Sequence, residues 1–191
     1  MLINRLWGNL FYLIGPIDSC PDNGKTWRKK IEEELLKRNI IALNPMDKPI
    51  DLGIEDDISR EERKRYKEIG DYKSLSENVK IIRHVDLRLV DKASCIICYL
   101  DLSIVMMGTL EELFWANRMK LPIIIVCPQG KKAIPDWLFG ALNEELFFDN
   151  FEDALKYIDY IDQSENPETL GRWLFISYRD LYAKLGVFND G

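Results

Sequence analysis

The sequence predicts an α/β protein, a three-layer sandwich of flavodoxin-like or Rossmann-like type around a five-stranded, mostly parallel sheet. Three observations lead there. Short apolar runs of strand length recur along the chain: Leu10 to Ile14, Ile40 to Leu43, Cys95 to Leu100, Pro122 to Cys127 and a weaker Leu146 to Phe148. Segments with helical spacing of apolar residues lie between them, so strand and helix alternate. Breakers close the runs, as in Gly15-Pro16 and Asn44-Pro45. The length of 191 residues favours one domain, spanning 1–191, with enough chain for a sizeable core.

Each element has its own warrant. The first strand ends at Gly15-Pro16, and a breaker-rich loop through Asp18, Pro21, Asp22 and Gly24 follows. From Lys25, the apolar positions Trp27, Ile31 and Leu35 keep a helical period, with Asn39 as the stop. Residues 47–74 change character and read as a charged helical insertion. It is either a solvated helix held by opposite charges or a mobile cover, since it follows a strand's carboxyl end. The helix from Leu75 to Ala93 shows one stripe of Val79, Ile82, Leu89, Val90 and Ala93, and Asp86 falls inside it. A carboxylate on an apolar face is costly without a partner or a task. The third strand leads through Asp101 to Met107 into a helix opened by Gly108-Thr109, with Glu112 expected in its first turn. There the helix dipole would favour a negative charge by roughly 0.3–1 kcal/mol. Lys131 to Leu142 carries Pro135-x-Trp137 and a short helix, and Phe151 to Ile161 is helical. A last aromatic helix over about 167–186 displays Leu170, Trp173, Leu174, Ser177 and Leu181, a stripe able to pack on a sister subunit.

Composition excludes several classes. A formal charge of −6, from 26 basic and 32 acidic residues, argues against a protein that grips a nucleic-acid polymer. No apolar run is long enough for a membrane helix, and the start Met1-Leu2-Ile3-Asn4-Arg5 lacks a signal-peptide core. A cytoplasmic, reduced location is expected. The Cys95-x-x-Cys98 spacing does not read as a metal site, because on a strand residues three apart point to opposite faces. His84 is the single histidine, and neither a metal nor a cofactor is expected.

In an open parallel sheet, ligands bind beyond the carboxyl ends of the strands, which places Glu112 at the rim where chemistry would occur. Several motifs then add up. Tyr12-Leu13-Ile14-Gly15-Pro16-Ile17-Asp18, Trp27-Arg28, Asn44-Pro45, Asp86, Gly108-Thr109-x-x-Glu112-Leu113-x-x-Ala116 and Pro135-x-Trp137 stand in that order. Together they resemble the nucleoside 2-deoxyribosyltransferase-like superfamily, which includes the 2'-deoxynucleoside 5'-phosphate N-hydrolases. The resemblance runs from about Tyr12 to Trp137. It departs from the family pattern at Ser94, where an aspartate is usual, and at Met106, near which the phosphohydrolase branch carries a phosphate-binding serine.

The resemblance implies Glu112 as nucleophile, Asp86 as an assisting acid and Tyr12 as the group orienting the glutamate or the sugar. It places Gly15, Pro16, Ile17, Asp18, Trp27, Arg28, Asn44, Asp101, Gly108 and Thr109 around the substrate. It also implies a homo-oligomer whose neighbour helps to complete each pocket. The expected partners are a small deoxynucleoside or deoxynucleotide and a free base. The chemistry suits these residue types, since a carboxylate can stabilise an oxocarbenium-like centre and trap it as a glycosyl ester. Asp86 could protonate the departing base or bind a sugar hydroxyl. Glu111 should point about 100° away around the helix. The expected activity is transfer of the sugar to a second base, with hydrolysis or non-catalytic nucleotide binding as alternatives.

Overall fold

The computed structural model describes residues 4–18, 20–48 and 50–186. Five strands, β1 (Leu10–Ile14), β2 (Ile41–Leu43), β3 (Cys95–Tyr99), β4 (Ile123–Val126) and β5 (Phe147–Phe148), form one sheet in the order β2-β1-β3-β4-β5. Every pairing is parallel. The helices are α1 (Lys25–Leu36), α2 (Asp57–Glu68), α3 (Tyr72–Lys92), α4 (Met107–Arg118), α5 (Asp136–Ala141), α6 (Phe151–Gln163) and α7 (Tyr178–Lys184). Among the described residues, no helix is long and apolar enough to cross a membrane.

Period-two alternation divides the core between the faces of the sheet. Tyr12, Ile14, Ile96, Cys98, Ile123 and Ile125 pack against Leu89 and Val90 of α3 and Leu113 and Ala116 of α4. Phe11, Leu13, Cys95, Ile97, Ile124 and Val126 pack against Ile31 and Leu35 of α1 and Ile158 and Ile161 of α6. Both faces are covered, which is the three-layer sandwich the sequence predicts. Cys95 and Cys98 lie on opposite faces. The strand order reverses direction between β1 and β3, the place where such sheets leave a crevice at their carboxyl ends.

Four expectations need correction. The last helix, expected over about 167–186, is only α7. Leu170 (φ 49°) and Gly171 (φ 64°) adopt left-handed backbone that stops a helix. Trp173 is 5% exposed and sits in the core of its own sheet, giving its indole N–H to the Tyr157 hydroxyl at 3.0 Å. The insertion of 47–74 is helical only from Asp57, where Asp56 caps α2 by accepting from the Ser59 N–H at 2.8 Å. The α3 stripe begins late, since Val79 is 42% exposed and the buried face is Val85, Leu89, Val90 and Ala93. Finally, α4 starts at Met107, one residue before the glycine, and holds no acid in its first turn. Glu112 sits in the second turn, beyond the reach of the dipole argument.

Candidate active site

The floor of the site comes from β1, α3 and α4. Tyr12, central in β1 and fully buried, donates its hydroxyl to Glu112 Oε1 at 2.7 Å. Glu112 is half-buried, and burial pushes its carboxyl up to about 8, with the charge of Asp86 adding to the effect and the Tyr12 hydrogen bond opposing it. Asp86 rises to about 7, first through burial and then through the charge of Glu55, while Lys48 pulls it down. Burial, with the charges of Glu112 and Asp86, in turn raises the Tyr12 phenol well above its ordinary value. The three groups therefore share one electrostatic environment. Burial and the neighbouring acid thus oppose ionisation of Glu112, where the sequence placed a helix dipole that would favour it.

The segment between β2 and α2 supplies two residues that the sequence reading missed. Lys48, its side chain 3% exposed, donates to Glu55 Oε2 at 2.9 Å and to the Gly53 carbonyl at 2.6 Å. The same ammonium stands 2.8 Å from Asp86 Oδ1. The contact is a short ion pair that holds the aspartate and opposes the effect of its burial. The legible hint was a lone lysine just past the carboxyl end of a strand, with an acid a few residues on.

The turn after β1 is built from inside. Arg28, which the resemblance places beside the substrate, is fully buried. Its guanidinium donates to the carbonyls of Gly15 (2.8 Å), Gly24 (3.2 Å), Leu13 (3.3 Å), Asn23 (3.4 Å) and Pro16 (3.5 Å). Desolvation lowers its pKa, yet an arginine holds its charge in such a setting. It is a scaffold residue, and this corrects the contact expectation. Gly15 is required by space: a Cβ there would lie 2.9 Å from Trp27 Cζ2 and 3.2 Å from the Tyr99 carbonyl. Trp27 is half-buried, stacked on Phe151 at 5.6 Å and tilted against Tyr99 at 5.3 Å.

Other expected contact residues have local partners. Pro16 is buried and Ile17 half-buried, and the Ile17 carbonyl accepts from Arg60 at 3.2 Å. Asp18 is exposed and paired with Arg63 at 2.8 Å, so α2 docks on the β1 turn through its arginines. Asn44 spends both ends of its amide, donating to Glu32 at 2.7 Å and accepting from the Met46 N–H at 2.9 Å. It shapes the turn at Pro45. Asp101 accepts from Ser103 and from Gln129, at 2.6 Å and 2.7 Å, and the Ser103 hydroxyl holds its carboxyl below the ordinary range. Thr109 is buried, whereas Gly108 is exposed and a Cβ there would meet nothing within 4 Å. Glu111 is ion-paired with Arg83 on the outside of α3, so that arginine is already engaged. Ser94 bonds Leu10 at the amino end of β3, across the sheet from the rim.

Two hollows lie elsewhere. One of about 770 Å³ is lined by Gln129, Lys131, Phe139, Glu144 and Asp149, and another of about 470 Å³ by Phe114, Asp136 and Trp137. Phe114, Trp115 and Trp137 are exposed, with the Trp115 indole donating to Asp91 at 2.9 Å.

No family model matches the chain, and no curated protein does. Solved structures do. A 2-deoxyribosyltransferase from Bacillus psychrosaccharolyticus is similar over 88% of this chain and 99% of its own, with 14% identity and a TM-score of 0.54. The chain shares the α/β fold of that enzyme. The CMP N-glycosidase BcmB of Clostridium botulinum is similar over 79% of this chain and 98% of its own, with 12% identity and a TM-score of 0.45. Tyr12 lies in the middle of β1, beside the reversal between β1 and β3, with Asp86 on α3 and Glu112 on α4.

Proposed function

We propose that this protein is an N-glycosyl enzyme acting on 2'-deoxynucleosides or their monophosphates, and that it transfers the deoxyribosyl group to another base. The observation that carries the reading is the Tyr12 hydroxyl bound to Glu112 Oε1 at 2.7 Å, with the charge of a second half-buried acid, Asp86, acting on that glutamate. Glu112 is the nucleophile. As the glycosidic bond lengthens, positive charge grows on the anomeric carbon and favours the ionised form of Glu112, which leaves the one proton of this pair of interacting acids on Asp86. The Tyr12 hydrogen bond favours the same form. The carboxylate closes on the anomeric carbon as the bond to the base breaks, and the bonding pair leaves with the base nitrogen. Asp86, raised to about 7, gives that nitrogen its proton.

In the second half, a nitrogen of an acceptor base attacks the glycosyl ester. Asp86 takes the acceptor's proton, and Glu112 leaves as carboxylate. Water in the acceptor's place gives deoxyribose instead, so transfer requires a site that excludes water. Gly108, which no neighbour requires to be small, leaves room for the sugar beside the helix. A homo-oligomer, in which a neighbouring subunit closes the pocket, belongs to the same reading.

The test is incubation with deoxynucleosides and with their monophosphates, each with and without an acceptor base. A new nucleoside supports transfer, and deoxyribose or its phosphate supports hydrolysis. Mass spectrometry of the quenched protein should find the deoxyribosyl adduct on the peptide that holds Glu112. Base release undiminished in Glu112→Ala, or none from any of these substrates, overturns the reading.

A further inference from the structure

Asp86 does not stand alone on α3. The segment between β2 and α2 brings an ammonium and a carboxylate to it, and both are buried: Lys48 is 3% and Glu55 9% exposed at the side chain, against 14% for Asp86. One cation faces two acids here, an imbalance that a low-dielectric pocket does not tolerate unless a proton is held or a ligand arrives. Lys48 is anchored twice on its own segment, to Gly53 and Glu55, so it cannot drift from Asp86 without unravelling that turn. A lysine anchored in this way gives the segment a fixed attachment to α3.

We propose that Lys48 and Glu55 are positioning residues for Asp86, a cation and an anion that fix where its carboxyl sits and whether it carries a proton. The inference rests on the reaction proposed above, in which Asp86 is the proton donor and acceptor. The two residues act in opposite senses. Lys48 stabilises the ionised aspartate, and Glu55 opposes ionisation. The other charged or titratable groups around Asp86 are Arg28 from α1, Tyr12 from β1 and Glu112 from α4. None of these belongs to the segment; the charge of Glu55 also reaches Glu112 and Tyr12, behind its larger effect on Asp86, so the aspartate's own resonance is the readout. The 2.8 Å contact on Asp86 Oδ1 fits this division, since it places the lysine's charge directly on the carboxyl it is to hold.

The experiment is the titration of the Asp86 carboxyl by carbon NMR in the intact protein, in wild type, Glu55→Gln, Lys48→Met and Lys48→Arg, with Asp86→Asn assigning the resonance. The expected result is a midpoint lower by about one pH unit in Glu55→Gln and higher by a similar amount in Lys48→Met, with Lys48→Arg near wild type. Where turnover is present, the falling alkaline limb of kcat should move the same two ways, while KM changes less than kcat. Midpoints that stay within about 0.3 unit, or that move in one direction for both variants, overturn the inference. If Lys48→Met does not fold, Glu55→Gln, which keeps shape and removes charge, decides alone. Opposed shifts in a protein without glycosyl chemistry would sink the proposed reaction and leave this assignment standing. Glycosyl chemistry with an Asp86 that ignores both variants would do the reverse.

Discussion

Two regions of this molecule bury cations, and they do it differently. In the β1 turn, Arg28 is surrounded by main-chain carbonyls. In the charged segment from Lys48 through α2, Lys48 and Arg63 are buried against carboxylates, Glu55 and Asp86 in one case and Asp18 in the other. Carbonyls do not titrate, so the first arrangement is the same at any pH. Carboxylates can take a proton, and an ion pair can exchange its partner for a ligand. The first region is scaffold, and the second is built to respond.

The largest expected effect falls where the two regions meet. Glu112→Gln should lower turnover by at least about 10³-fold while the fold is retained, as measured by base release and circular dichroism. Asp86→Asn should cost about 10²–10⁴-fold, the ordinary range for a general acid. Equal rates in wild type and Asp86→Asn would mean that the responsive region has no part in the chemistry.

Next in size is the scaffold. Arg28→Met leaves five carbonyls without their donor, so denaturation should show a loss of about 3 kcal/mol or more. Arg28→Lys should recover only part, because an ammonium cannot span the same fan of acceptors. Arg63→Ala, by contrast, should cost about 1 kcal/mol, and its clearer readout is faster proteolysis within 50–70. Similar losses for Arg28→Met and Arg63→Ala would erase the distinction between the regions.

A smaller effect separates them by pH. The folded-state pKa of Glu112, about 8, lies above the ordinary carboxyl value of 4.5, so the folded chain holds this proton more tightly than the unfolded one. The resulting stability is fully present below pH 4.5 and is lost as pH rises through about 8. Glu112→Gln should therefore unfold later than wild type at pH 8.5, by on the order of 2 kcal/mol, with no advantage at pH 4. Smallest of all is Lys64→Ala, which breaks an exposed pair with Glu61 and should change stability by less than about 0.5 kcal/mol.

The sheet was legible because a strand buried on both faces has to be apolar almost throughout, and few other segments of this chain are. Tyr12, Asp86 and Glu112 were legible through the spacing of their motifs and through the oddity of an acid on an apolar stripe. What escaped notice has a common cause. Lys48, Glu55 and Arg63 lie in a segment whose composition says only that it is charged, and burial of charge leaves no periodic trace. Arg28 escaped for a related reason, since carbonyl partners belong to the backbone and carry no sequence. The carboxyl-terminal stretch misled through apolar spacing that continues across Leu170 and Gly171, where the backbone turns left-handed.

Gly15 ties distant parts of the rim together. The indole it admits is layered with Tyr99 at the end of β3 and Phe151 at the start of α6. A single methyl group at position 15 would act as a wedge under that stack, prising the first helix from the sheet face it covers. Variation at that spot would be felt first by the far rings, well before the acids noticed.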